Sequence, residues 1–89
     1  MKTYYRVFSA PCQKDWKEES SYHYIAEFSK YDFVRPFLDI LLPDPKYRKY
    51  FIVIKEVQTE RTDASEGRRV CVVSPIGEYL ELDGKPVDF

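Results

Sequence analysis

Cys12, His23 and Cys71 are the residues of this chain best suited to nucleophilic or metal chemistry. A thiolate beside an imidazole makes a nucleophile–base pair, and three soft ligands are the start of a zinc site. Spacing argues against both. His23 is the only histidine, and neither cysteine stands in the short paired spacing of a structural zinc site. Cys71 falls inside the apolar run Val70-Cys71-Val72-Val73, the setting of a small core hydrophobe. Cys12 follows Pro11 close to Lys14 and is expected to be accessible. Asp15, Glu18 and Glu19, or Asp39 with Asp44, lack the glycine-punctuated order of a calcium loop and read as solvated faces. Three glycines, none clustered, leave no phosphate loop. The sequence predicts no catalytic residue, no metal and no cofactor.

What the chain holds in excess is aromatic surface: eight Tyr, six Phe and Trp16 among 89 residues. Such side chains bury much area per residue, and Tyr and Trp are over-represented at interface hot spots. The run Lys46-Tyr47-Arg48-Lys49-Tyr50 joins cations to aromatic faces, which suits carboxylates, phosphates or stacked bases. Its bland reading is the solvated entry to a strand. Trp16, set among charges, is either an anchor for a partner or a lid folded over a small core. Trp16, Tyr47, Arg48, Lys49 and Tyr50 are therefore the candidate partner-binding residues. Arg61, Arg68 and Arg69 form a second basic group, expected roughly 25–30 Å away at the other end of the sheet.

The elements that must position these residues follow from apolar spacing. Thr3 to Ser9 reads as a strand and Ala10 to Ser21 as a polar loop holding at most one helical turn. Residues 22–28 alternate, with Tyr22, Tyr24, Ala26 and Phe28 on one side and His23, Ile25 and Glu27 on the other. A strand is favoured there, with a helix as the alternative. Phe33, Phe37, Ile40 and Leu41 then take helical spacing, with Val34, Leu38 and Leu42 alongside. Pro36 fits best in the first turn of a short helix, Pro36 to Leu42, which Pro43 and Pro45 end. Tyr50 to Thr59 and Arg68 to Ser74 are apolar on both faces, as central strands are, and a hairpin between them sets Thr59 opposite Arg68. Ser74-Pro75-Ile76-Gly77 suits a type I turn. Glu78 to Leu82 alternates with Leu80 and Leu82 inward, and Asp83-Gly84 signals a hairpin into Lys85 to Phe89.

The sum is a single α+β domain over residues 1–89, in ββαβββ order. A mostly antiparallel sheet of about five strands, with a sixth short one possible at the C-terminus, carries one short helix on one face in two layers. Fourteen basic residues face fifteen acidic ones, for a net charge of −1, against the basic excess usual in nucleic-acid binders. No apolar run reaches the length of a membrane span, and residues 1–6 lack the apolar stretch of a signal peptide, so a cytoplasmic protein without membrane contact is expected. The expected function is non-catalytic protein binding, by an inhibitor or adaptor that occludes a surface of its partner. Small aromatic-rich α+β proteins of phages and mobile elements, and bacterial immunity proteins, offer an analogy of type. A nucleic-acid-binding module using the basic-aromatic run is the alternative, and homo-oligomerisation is left open.

Overall fold

The computed structural model describes residues 3–12, 16–58, 67–82 and 85–87. Among these residues six strands form one antiparallel sheet: β1 (Tyr4–Pro11), β2 (His23–Phe28), β3 (Tyr50–Val57), β4 (Arg68–Val73), β5 (Tyr79–Leu82) and β6 (Lys85–Pro86). Their spatial order is β2-β1-β3-β4-β5-β6. The apolar runs in β1, β3 and β4 therefore become the three central strands, covered on both faces. The Asp83-Gly84 pair, Phe89 and Arg61 lie outside the described residues.

One helix, α1 (Val34–Leu41), follows a 3-10 turn at Tyr31–Phe33. It starts two residues before Pro36, which occupies its first turn, where no helical hydrogen bond is lost. Val34, Leu38 and Leu41 face the sheet and close the core with Val7, Ile52, Ile54, Cys71 and Val73. Phe33 and Ile40 are not part of this stripe; they are 52% and 76% exposed.

Three register shifts redirect side chains away from simple alternation. In β2 the shift lies between the Val7–Ala26 and Phe8–Tyr24 pairs, so Ile25 is the extra residue. A bulge moves every side chain beyond it to the other face. Ile25, Ala26 and Phe28 thus share the helix side, His23 joins them opposite Ser9, and Tyr24 crosses over to lie edge-on to Phe8. In β4, Ile54 pairs with Cys71 but Lys55 pairs with Arg69, so Val70 also turns to the helix side. In β5, Leu80 is the extra residue. It packs on the Phe8 cluster while Leu82, opposite Cys71, is exposed, so the two leucines do not share an inward face.

β1 runs two residues further than the sequence pattern indicates, because Ala10 and Pro11 pair with Phe51 and Tyr50. Arg68 stands opposite Glu56, not Thr59, and is ion-paired to it at 3.2 Å. The chain enters β4 through Gly67, whose φ of 80° lies in the left-handed region. Ser74 to Gly77 forms the expected turn, closed by the Gly77 amide donating to the Ser74 carbonyl at 2.9 Å. Cys12 is exposed and Cys71 buried, as their sequence settings indicate.

Among the described residues, the positive-φ glycines Gly67 and Gly77 differ in one respect. A Cβ at Gly67 would collide with the Glu56 carbonyl oxygen and the Val57 side chain, whereas one at Gly77 would meet nothing. Gly77→Ala should cost about 1 kcal/mol of backbone strain. Gly67→Ala should cost at least about 2 kcal/mol, since strain and collision add. Urea midpoints of the two variants check this; equal losses would contradict the close approach of residue 67 to β3.

Candidate functional site

The face of the sheet away from α1 carries charge in an unusual place. Glu27, Arg6, Lys55 and Arg69 stand in register across β2, β1, β3 and β4. Arg6 and Lys55 are 1% and 0% exposed. Arg6 Nε donates to Glu27 Oε1 at 2.7 Å, and Lys55 Nζ to Glu19 Oε1 at 2.8 Å. Arg69 Nε donates to Glu81 Oε1 at 3.0 Å. Like charges directly opposite one another on neighbouring strands repel, so these carboxylates are what makes the row tolerable.

The segment 16–22, which leads into β2, covers the row and the apolar cluster beside it. Its 3-10 turn, Glu19–Ser21, supplies Glu19. Trp16 lies half-buried on Phe8, Tyr22, Val53 and Val72. Its carbonyl accepts from the Tyr22 hydroxyl, and the Arg69 guanidinium sits 5.1 Å from its ring centre. Trp16 is placed as a lid. Burial raises the Tyr22 phenol above its ordinary pKa, against the opposing pull of Arg69. Burial alone would lower the Arg69 pKa, but the Glu81 carboxylate and Tyr22 together raise it. A hollow of about 350 Å3 beside Gly67 and Arg68 is lined by Glu19, Arg69 and Glu81, which are already engaged with one another or with Lys55. The ion pairs of the row tie the edge strand, β5 and the Glu19 turn to the central strands.

The other candidates lie on the helix side, between α1 and β3. Asp44 caps a 3-10 turn, Pro45–Tyr47, with its Oδ1 accepting from the Lys46 amide at 3.0 Å. Proline in the first turn after a capping Asp is a local signal for such a start. The turn holds Tyr47 against the helix-side core and 6.3 Å from the Tyr50 ring. Lys46 Nζ lies 5.5 Å from the Tyr47 ring centre. These residues border a cleft of about 310 Å3 whose other walls are Ser9 and the start of β2: His23, Tyr24 and Ile25. The bulge in β2 brings His23 and Ile25 here.

Of the five residues the sequence nominates, the structure brings Tyr47 and Tyr50 together in this cleft. Arg48 borders a separate hollow with Leu42, Pro43, Pro75 and Ile76. Lys49 is exposed, its carbonyl accepting from the Cys12 amide at 3.2 Å. Trp16 is on the opposite face of the sheet. Strict alternation puts His23 and Ile25 on one face but sets Ala26 and Phe28 on the other; only the bulge at Ile25 brings all four to the Tyr47 side.

A second surface adjoins the cleft. Phe33, Phe37 and Ile40 fall at i, i+4 and i+7, one flank of the helix. Phe37 packs on Phe28 of β2, ring centres 5.1 Å apart, which turns that flank toward β2. The opposite flank faces β5, where the Arg35 guanidinium lies 5.4 Å from the Tyr79 ring centre. Two stripes one position apart, 34/38/41 and 33/37/40, are the signal in the sequence that separates core from surface. Among the described residues no group of three or more His, Cys, Asp or Glu side chains comes together as a metal site, and no helix is long and apolar enough to cross a membrane.

Comparison with protein-family models, with curated proteins and with solved structures found no match, so the site is read from its own residues.

Two outcomes check this division of the faces. Glu19→Ala withdraws a carboxylate from a fully buried ammonium and should cost about 2–3 kcal/mol, whereas Lys55→Met, which removes the buried charge, should cost less. A larger loss from Lys55→Met in urea unfolding would contradict the neutralising role of Glu19. The second outcome concerns pH. The folded Tyr22 pKa is raised, so the folded state holds that proton more tightly than the unfolded chain. Its stabilisation is present below the ordinary Tyr value of about 10 and is lost as pH rises through the folded value. Tyr22→Phe should therefore flatten the fall of the unfolding midpoint above pH ~10, and an unchanged slope would show that another group governs it.

Proposed function

We propose that this protein is a non-catalytic protein-binding module, an inhibitor or adaptor whose contact surface is the β2 side of α1 together with the Tyr47–Tyr50 cleft. The observation that carries the reading is the exposed apolar flank of α1. An eight-residue helix that buries Val34, Leu38 and Leu41 also presents Ile40 to solvent, and Phe33, at its N-terminal boundary, is exposed on the same flank. Scattered exposed apolar residues are ordinary, but a contiguous flank beside an aromatic cleft marks an interaction surface. Tyr31, 37% exposed and edge-on to Tyr5 at 5.4 Å, extends it at the start of the helix. Aromatic anchors are enriched at protein interface centres, with polar groups left to the rim.

Nucleic-acid binding has less support. Lys46 and Arg48 border different hollows, and Arg68 and Arg69 pair with Glu56 and Glu81 at the far end of β3. Among the described residues no continuous basic stripe tracks a phosphate backbone. Inhibition or adaptation of a partner needs only occlusion, for which a rigid surface on a sheet is sufficient.

The test is retention of protein from the native host's lysate by the immobilised chain, with Ile40→Asp and Tyr47→Ala as controls. Ile40 is exposed, so its change leaves the core intact. Retention should be nuclease-resistant and should weaken by about thirtyfold in dissociation constant for a hot-spot position, equivalent to ~2 kcal/mol. Nuclease-sensitive retention that falls steeply with salt would favour the nucleic-acid reading, and retention indifferent to Ile40→Asp would remove the α1 flank from the surface.

A further inference from the structure

We propose that the partner of this surface presents an extended segment, which adds as a seventh strand along the outer edge of β2, with an acidic side chain at the Lys46 end and apolar side chains along α1. The inference rests on the protein-binding reading above and names the form of the partner. The two edges of the sheet are unequal. β6 is two residues long and includes Pro86, which cannot donate to a ladder. β2 is six residues long without proline and pairs on one side only, with β1, among the described residues. Such an edge offers a row of main-chain donors and acceptors over roughly 20 Å, enough for a five- or six-residue segment.

Side chains of an added strand alternate between the two faces of the sheet. On the helix side they would run beside His23, Ile25 and Ala26, and Phe28. That line is walled by α1 through Phe37, on Phe28, with Phe33 and Ile40 on the same flank. Apolar side chains fit there. At the His23 end the wall changes to the Tyr47–Tyr50 cleft, where Lys46 lies over the Tyr47 ring. The nearby carboxylate, Asp44, already accepts from the Lys46 amide. A carboxylate on the segment would complement the Lys46 charge, supported by His23 and the tyrosine hydroxyls as donors. The pattern is acidic–x–apolar–x–apolar.

A second copy of this chain fits less well. An antiparallel two-fold pairing of β2 would have to accommodate two bulges in one ladder, where a regular added strand meets only one. It would also bring Lys30, two residues beyond Phe28, toward the Lys46 end of the other copy.

The experiment is selection of a displayed library of random decapeptides on the full chain, with binding of the enriched peptides measured by titration. Amide exchange of His23–Phe28 is followed in the same samples. Enriched peptides should carry the acidic–x–apolar–x–apolar period and slow exchange in β2. N-methylation of alternate peptide amides should abolish binding. Lys46→Glu should weaken binding at least tenfold, with a lysine at the acidic position restoring it. Failure to enrich any peptide, enrichment of helical or basic patterns, or indifference to N-methylation would overturn strand addition. Slow β2 exchange that grows with protein concentration alone would assign the edge to a second copy and overturn it equally. If strand addition fails while lysate retention still depends on Ile40, the protein-binding reading stands; if that retention is also absent, both fall.

Discussion

Three cations in line across the middle of the sheet are the constraint on which this fold depends. Arg6, Lys55 and Arg69 are neighbours in register on the three central strands, where most sheets of this size bury only apolar groups. The strands that carry them cannot pack there unless carboxylates arrive from outside the centre. Glu27 comes from the edge strand β2, Glu81 from β5 and Glu19 from the loop after β1. Each ion pair therefore ties a peripheral segment to the central three strands. Trp16 and Tyr22 complete the cover, and the loop that holds them is pinned twice, through Glu19 and through the Tyr22 hydroxyl.

That arrangement divides labour between the faces. One face is closed by charge pairing and a lid. The other is closed by α1, which is short and can cover only part of a six-stranded sheet. What α1 leaves over is its own flank toward β2, the cleft under the Pro45–Tyr47 turn, and the edge of β2, unpaired among the described residues. The bulge in β2 serves both faces. It sends Tyr24 to Phe8 on the closed face, while His23 and Ile25 go to the open one. A single inserted residue thus completes a core contact on one face and lines the cleft on the other.

Much of the architecture is legible in the residues. The double-sided apolar runs of β3 and β4, the turn at Ser74–Gly77 and proline in the first turn of the helix are local signals, and locally they hold. The antiparallel α+β class follows from them. What local pattern does not carry is register. Each bulge depends on a partner strand far along the chain, so the faces of His23, Tyr24, Leu80 and Leu82 are set by pairing, not by parity. Helical spacing groups Phe33 and Ile40 with Leu41; separating them requires knowing which stripe the sheet occupies. The sequence-nominated residues divide for the same reason. Tyr47 and Tyr50 meet because one turn and one strand hold them, whereas Trp16 is drawn to the other face by Phe8, Val53 and Val72. Lys55, directly after the apolar run 50–54 and still within the strand, is the local sign of the ion-pair row.

The account's central claim is that closing one face by ion pairs and a lid leaves the outer edge of β2 free for recognition. Residue-resolved amide hydrogen exchange on the isolated protein at low concentration tests it most directly. Amides of β1, β3 and β4 should be the slowest in the molecule. In β2, those directed at β1 should be protected and the intervening, outward ones should exchange nearly as fast as in an unstructured chain. Uniform protection along His23–Phe28 would contradict the claim, because the edge would then already be covered.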